Sequence, residues 1–258
     1  MLYEWVKKTR CFKLLRGIGK RDDGLTKSCD ISDYLDRYRP SFERRGFSMS
    51  LEGHDIHISG NDLHIFGQSP NTLWTAEDVL CKGDYEFDCR ENFVMIDIGL
   101  NIGITSLSMA RHNNVTKIYG YEPFAPTFAQ ALRNFEANPV LSRKIEAFCY
   151  GLGDNDETLK INYNPSLPGA MSSVRNAFPE YENIETIQIR KASDVLADII
   201  FQHEERKFLK VDCEGAEYKI FEDLNSANLL QEISVIILEW HYNNPDNLIA
   251  VLIRNGDV

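Results

Sequence analysis

From residue 91 onward the chain alternates short apolar runs with segments of helical periodicity, and this alternation narrows the fold more than any other feature. The runs VMIDIG (94–99), KIYGYE (117–122), IEAFCYGLG (145–153), KFLKVDC (207–213) and ISVIILEWH (233–241) read as strands. Between and after them, 103–113, 126–137, 192–204, 215–224 and 246–255 read as helices, with Phe128, Leu132 and Phe135 marking one buried stripe. Strands alternating with helices at this spacing predict a mostly parallel sheet covered on both faces, a doubly wound α/β domain. About forty residues separate the third strand from the 192–204 segment, and they contain the alternating runs TLKINYN (158–164) and TIQIRKA (186–192). Loops longer than about 15 residues in a compact domain are usually functional or disordered, so a hairpin-like insert over the active edge is expected.

Upstream the texture differs. Residues 1–48 are polar and helical in tendency, with Leu2, Trp5, Val6, Phe12, Leu15 and Ile18 spaced loosely at three to four. A basic helix packed on its own domain or on a second subunit is expected there, with contact to an anionic membrane surface through residues 1–21 as the weaker alternative. The run FSMSLEGHDIHISGNDLHIF alternates, and Glu52-Gly53 and Gly60-Asn61 are turn-like, which predicts short antiparallel strands. The expected division is an extension over residues 1–65 and the α/β domain over 66–258. Twenty-eight basic and thirty-nine acidic residues give a net charge of -11, and residues 1–21 hold seven Lys or Arg against Glu4 alone. The acidic body repels phosphate backbones, so no nucleic-acid partner is expected. There is no run of 18 apolar residues, the N-terminus lacks the order of a secretory signal, and the six cysteines form no C-x-x-C pair. A reduced, cytoplasmic protein is the expectation, with oligomeric state left open.

The segment VMIDIGLNIGITS sets Asp97, Gly99, Asn101 and Gly103 at the end of the first strand of the α/β region, where the chain must turn sharply into a helix. Glycine permits positive φ there and lets backbone approach a ligand. The next strand ends in Glu122, 23 residues beyond Gly99, which suits a carboxylate on a ribose diol. A dinucleotide site wants G-x-G-x-x-G for a pyrophosphate, whereas D-x-G-x-N-x-G places a carboxylate beside the loop and suits an ammonium. S-adenosylmethionine offers an α-ammonium for Asp97, a carboxylate for backbone N–H groups near Gly103, and a ribose for Glu122. Asp154 after the third strand is expected near the adenine, and Thr105 completes the cofactor set.

These residues resemble the FkbM-type S-adenosylmethionine-dependent methyltransferases. VMIDIGLNIGITS resembles the family's glycine loop, YGYEPFAPTFAQALRNFEAN its ribose-binding turn and helix, and GLGDNDET the turn after its third strand. AMSSV, IRKASDVL and ILEWH resemble further blocks in the expected order, and FLKVDCEGAEYKIFEDL is close to the most distinctive one. The resemblance implies a Rossmann-like class I methyltransferase domain over 66–258 and a hydroxyl acceptor on a sugar, glycan precursor or related small metabolite. Two departures stand out. Leu100 replaces a small residue, which should alter loop packing without removing a ligand. The sequence reaches Val258 where the family continues into final antiparallel strands, so either the form is truncated or the sheet edge is completed otherwise, by the N-terminal hairpin or another subunit.

The fourth strand ends in Asp212, Glu214 and Glu217 and the fifth in Glu239 and His241. Carboxyl ends of parallel strands face the ligand crevice, so Asp212 and His241 are the candidate general bases, and Glu214 and Glu239, with Ser172 and Ser173 from the insert, the candidate acceptor contacts. Glu217 is assigned a structural role at a helix start. A divalent cation on this cluster is an alternative that is not favoured, and no metal ligands are assigned. Tyr85 is a candidate to close over the cofactor, Trp240 and Tyr242 are expected to pack in the core in preference to stacking on a sugar, and His54, His57 and His64 have no convergent partners. A non-catalytic nucleoside-binding module of degenerate fold is the competing function. A nicotinamide-dependent oxidoreductase is disfavoured by Asp97 and Asn101.

Overall fold

A computed structural model of the chain describes residues 3–7, 10–16, 30–87, 90–174, 183–242 and 244–254. The elements in chain order are β1 (Tyr3–Lys7), β2 (Arg10–Arg16), α1 (Ile31–Glu43), β3 (Ser48–Glu52), β4 (Asp55–Gly60), β5 (Leu63–Gly67) and α2 (Pro70–Ala76). They continue with β6 (Phe93–Ile98), α3 (Ile104–Ala110), β7 (Val115–Tyr121), α4 (Ala125–Ala137), β8 (Ile145–Phe148), β9 (Gly151–Gly153) and β10 (Glu157–Asn162). The last are β11 (Ile184–Lys191), α5 (Ala192–Gln202), β12 (Arg206–Val211), α6 (Glu217–Ser226), β13 (Val235–Trp240) and α7 (Asp246–Arg254). The main sheet runs β1-β2-β13-β12-β6-β7-β8, parallel throughout except for β1, which pairs antiparallel with β2.

The doubly wound α/β arrangement follows from the two faces of the central strands. Phe93 and Met95 of β6, Phe208 of β12 and Ile237 of β13 join a cluster with α1, the β3–β5 meander, α3 and α4. Their alternate neighbours Val94, Ile96, Ile98, Leu209, Val211, Ile236 and Leu238 pack against α5, α6 and α7. Every residue of β6 is buried, as parallel strands covered on both sides require.

The N-terminus departs from expectation. Residues 3–7 and 10–16 are strands rather than part of a basic helix, so the helical basis for membrane contact through residues 1–21 is gone. β2 lies beside β13 and supplies the ladder partner that the sheet edge otherwise lacks, whereas the strands expected at 47–66 form a separate sheet and do not complete that edge. Among the described residues of 1–48 the helical tendency is realised in α1, and the alternation of 47–66 gives the meander β3–β5 with turns at Gly53 and Asn61. Among the described residues no helix is long and apolar enough to cross a membrane.

Two further differences concern the site. The run 145–153 is not one strand: β8 stays in the main sheet, while β9 leaves it and pairs parallel with β11 of the insert. A Cβ on Gly151 would meet Ile189 at 2.8 Å and Pro123 at 3.2 Å, so this crossing is feasible because the strand is nearly bare there. On α4, Leu132 faces solvent and the buried line is Thr127, Ala131, Asn134 and Phe135. Small and amide side chains face inward because α4 packs closely on the glycine loop and on β5. Asn134 Oδ1 accepts the Phe66 N–H (2.8 Å), Asn138 Oδ1 accepts the His64 N–H (2.9 Å), and Gln130 donates to the Phe66 carbonyl (2.9 Å). The helix thereby satisfies the open edge of the meander. His57 and His64, expected without partners, do converge: His57 Nε2 lies 3.1 Å from His64 Nδ1 and its Nδ1 contacts Glu52, because adjacent strands bring diagonal neighbours together.

Candidate active site

The loop after β6 turns through three left-handed residues, Gly99 (φ +83°), Asn101 (φ +52°) and Gly103 (φ +82°). Gly99 and Leu100 both donate backbone N–H bonds to the Tyr121 carbonyl, at 3.1 and 2.9 Å. A Cβ on Gly99 would fall 1.7 Å from the Asp212 carbonyl oxygen, and one on Gly103 would fall 2.7 Å from the Phe135 ring. Both glycines are therefore required by space as well as by φ. Leu100, the departure from the family pattern, is buried and fills the space above Gly120, where a Cβ would meet it at 2.8 Å.

Glu122 closes this half. Its Oε2 accepts the Asn101 N–H and its Oε1 the Phe124 N–H, each at 3.0 Å, which fixes the carboxylate and leaves lone pairs on both oxygens. Burial, opposed by those two N–H groups, pushes its pKa up to about 7. Gly99, Asn101 and Glu122 line a cleft of about 590 Å³, counting the space open to solvent, with Phe124, Leu152, Met171, Ser173 and Ile189 as further walls and Asp212, Cys213 and Glu214 completing the lining. The apolar walls escaped sequence reasoning. Phe124 lies three residues beyond β7, close enough to a strand end to be a signal, whereas Leu152 within β9, Met171 and Ile189 reach the cleft only through the fold of β9 and the insert.

Other expected cofactor residues are placed around the cleft, not in its wall. Asp97 is fully buried beneath the loop, with Oδ2 accepting from Ser106 Oγ (2.7 Å) and Oδ1 facing the Lys210 ammonium at 3.1 Å. Gly103 and Thr105 are inside the start of α3, against α4 and the core. Asp154 forms an ion pair with Lys219 at 3.3 Å. Ser173 lines the cleft, but Ser172 is buried and donates to the Glu214 carbonyl at 2.5 Å, anchoring the insert.

The acidic end is brought together as foreseen. The Tyr85 hydroxyl lies 3.1 Å from Asp212 Oδ2 and 3.0 Å from Glu239 Oε2. One phenol carries one proton, so two acceptors are satisfied only if a carboxyl also holds a proton. Glu239 is that group: burial, then the neighbouring Asp212 charge, raise its pKa far above the usual carboxylate range. Tyr85 thus sits against the carboxylates and its pKa is pushed well up by burial and by both acids. Tyr242 is half exposed, at φ +63°, and donates to Glu214 Oε2 at 3.2 Å, so it overhangs the cluster and is not a core residue. Trp240 is buried in the core.

His241 is held differently from the expectation of a neutral base. Its N–H donates to Glu217 Oε1 (2.6 Å), its Nδ1 lies 3.3 Å from the same oxygen, and its Nε2 stands 3.7 to 3.9 Å from Glu214, Glu239 and Asp212. Burial disfavours the charged ring, but Glu217, Glu214 and Asp212 outweigh it and raise the pKa to about 10. The imidazolium cannot accept a proton near neutral pH, so the base role is left to a carboxylate. Glu217 opens α6, as expected, and is fully buried there, where it also accepts the Gly215 N–H at 2.7 Å. Asp212, Glu239 and His241 bring one ligand-type atom each within 4.8 Å of one another, a spacing a divalent cation accepts. The Lys210 ammonium, 3.8 Å from Asp212, and the Tyr85 hydroxyl compete for the same oxygens.

These protonation states give the fold a pH dependence of definite sign. Glu122 and Glu214 rise to about 7 from 4.5, and His241 to about 10 from 6.5, so the native state binds more protons than the unfolded chain between those limits. Stability is then fully present below pH 4.5 to 6.5 for the respective groups and is lost as pH rises through 7 and on towards 10. Urea unfolding at pH 5.5, 7 and 9 is expected to show a steady fall, flattened at the alkaline end in His241→Gln. A rise from pH 5.5 to 9 would contradict the protonation pattern.

A parallel sheet with a glycine loop after β6 and the buried carboxylate of Glu122 just beyond β7 forms the crevice at strand ends where open α/β domains bind ligands. The profile of the Methyltransferase FkbM domain matches residues 97–257. Methyltransferase sdnD of Sordaria araneosa is 29% identical over 178 residues, covering 58% of this chain and 67% of that protein. Methyltransferase 1 of Beauveria bassiana (strain ARSEF 2860) is 29% identical over 151 residues, covering 52% of this chain and 59% of that protein. Among solved structures, the methyltransferase FkbM from Methylobacillus flagellatus KT aligns with 16% identity and a TM-score of 0.38, over 83% of this chain and 52% of that one. The SAM-dependent methyltransferase from Agrobacterium tumefaciens aligns with 9% identity and a TM-score of 0.43, over 80% of this chain and 59% of that one. The chain belongs to the FkbM methyltransferase family, enzymes that take a methyl group from S-adenosylmethionine.

Proposed function

We propose that this protein transfers the methyl group of S-adenosylmethionine to a hydroxyl of a sugar, glycan precursor or related small metabolite. The observation that carries this is one cleft lined by the glycine loop, Glu122, Asp212 and Glu214, with the Tyr85 hydroxyl bonded to Asp212 and Glu239 beside it. The residues suit the cofactor: the bare backbone at Gly99 admits close approach, Glu122 keeps lone pairs for a ribose diol, and Phe124, Leu152 and Ile189 offer apolar walls for a base. When bound, S-adenosylmethionine supplies a methyl group that is already electrophilic. The protein's own task is alignment and removal of the acceptor proton. Positioning of two reactants contributes about 7–11 kcal/mol, and a general base about 3–5 kcal/mol. Asp212 is the base in this proposal, since it lines the cleft while Glu239 is proton-bearing and His241 is cationic. Glu214 and Glu239, with Ser173, face the acceptor.

The cofactor half is tested directly by calorimetry. Glu122→Gln removes the charge that receives two hydroxyls and is expected to weaken S-adenosylmethionine binding about 10–100-fold, the loss of charge-assisted hydrogen bonds worth about 1.5–3 kcal/mol. Unchanged affinity would place the ribose elsewhere. Production of S-adenosylhomocysteine with a hydroxylated acceptor separates this function from that of a non-catalytic nucleoside-binding module, which would bind without turnover.

A further inference from the structure

Lys210 is a buried charge that neither cofactor contact nor proton removal uses. Its position in β12 pairs it in register with Asp97 of β6 and Ile237 of β13. It shares the sheet face of Phe208, Met95 and Ile237, and only 2% of its surface is exposed. An ammonium in such a place is tolerated only if its donors are matched. They are: Nζ donates to the Gly99 carbonyl at 2.6 Å, faces Asp97 Oδ1 at 3.1 Å and Asp212 Oδ2 at 3.8 Å, and lies 5.6 Å from the centre of the Tyr85 ring.

The Gly99 contact is the informative one. Neutralising Asp97 alone would need no bond to the loop, and a buried ion pair is often replaceable by apolar residues without loss of stability. Here the Gly99 residue is held from two sides: its N–H by the Tyr121 carbonyl of β7 and its carbonyl by Lys210 of β12, while its Cα rests against the Asp212 carbonyl. The same cation therefore touches the cofactor loop and, two residues along its own chain, the carboxylate assigned to the acceptor. We infer that Lys210 is a positioning residue that fixes the Gly99–Asn101 loop relative to Asp212, so that one buried ammonium sets the spacing between the cofactor half and the acceptor half of the cleft. The inference rests on the S-adenosylmethionine assignment above. Asp97, on this view, neutralises the buried ammonium, and the bond from Lys210 to Gly99 is what sets cofactor affinity.

The experiment compares wild type, Lys210→Met, Asp97→Asn and the double variant Lys210→Met/Asp97→Asn, each by thermal melting and by calorimetry with S-adenosylmethionine. Lys210→Met orphans the buried Asp97 carboxylate and is expected to lower Tm and weaken binding at least tenfold. Adding Asp97→Asn removes the orphan charge and is expected to restore most of the lost Tm while leaving binding at least tenfold weak. Asp97→Asn alone, which keeps the bond to Gly99, is expected to bind within about threefold of wild type. Recovery of both Tm and affinity in the double variant would overturn the inference, since the lysine would then only neutralise Asp97. So would an Asp97→Asn variant as weak as the double, since the affinity would then belong to Asp97 itself. If Lys210→Met does not fold, the double variant against Asp97→Asn alone decides the same question. Wild-type protein that gives no binding heat with S-adenosylmethionine would instead remove the cofactor assignment, a result distinct from equal binding by all four proteins.

Discussion

Asp212→Asn is expected to lower kcat by about 10²–10⁴-fold, the usual contribution of a positioned general base, with little change in S-adenosylmethionine affinity. Asparagine keeps the size of the side chain and an oxygen for the Tyr85 hydroxyl, which lies 3.1 Å from Asp212 Oδ2 in the wild type. It cannot take up the proton released by an acceptor hydroxyl. Its neighbours do not replace it: Glu239 already carries a proton for Tyr85, and the His241 ring, its pKa near 10, is charged at neutral pH. The loss should appear in kcat under saturating cofactor and acceptor, measured as S-adenosylhomocysteine formed. A variant within threefold of wild type would mean that alignment alone drives the transfer or that Glu214 takes the proton.

Gly99→Ala is expected to do comparable damage by a different route. Its added Cβ would lie 1.7 Å from the Asp212 carbonyl oxygen, so β6 or β12 must shift, and the residue is held at φ +83°. Overpacking costs about 1–3 kcal/mol and a left-handed non-glycine residue about 1–2 kcal/mol, together about 2–5 kcal/mol. For a domain of this size that lowers Tm by roughly 5–20 °C. The same shift moves the loop whose Asn101 N–H holds Glu122, so cofactor binding should be lost with it. Gly53→Ala is the control: φ is +66° there, but nothing lies within 4 Å of the added carbon. It should show the conformational cost alone and leave binding intact. Equal effects of the two substitutions would remove the steric argument for Gly99.

Much of the architecture was legible before any coordinates. The apolar runs at β6, β7, β12 and β13 lie within a residue or two of where periodicity put them, because the central strands, β6 throughout and β12 and β13 over most of their length, are covered on both faces. The insert was legible as alternation, and β10 does pair antiparallel with β11. The exceptions share a cause. Residues 3–7 and 10–16 read as helical by spacing, and they are strands because 10–16 meet the edge of β13, some 220 residues away, and 3–7 pair with 10–16. Spacing puts Leu132 in the buried stripe, but it is exposed because α4 is oriented by what it packs on, the glycine loop and the β5 edge.

In the site the division is sharper. Local spacing determined the glycine turn, Glu122 at the next strand end, and the gathering of Asp212, Glu214, Glu239 and His241 at neighbouring strand ends, because a parallel sheet brings its carboxyl ends to one side whatever the details of packing. Charge state and facing were decided by the tertiary structure alone. Asp97 turns towards Lys210, 113 positions further along the chain and adjacent to it only by register, and His241 becomes a cation because four carboxylates from two segments surround it. Proton affinity and the direction of a side chain depend on neighbours through space, which sequence periodicity does not encode.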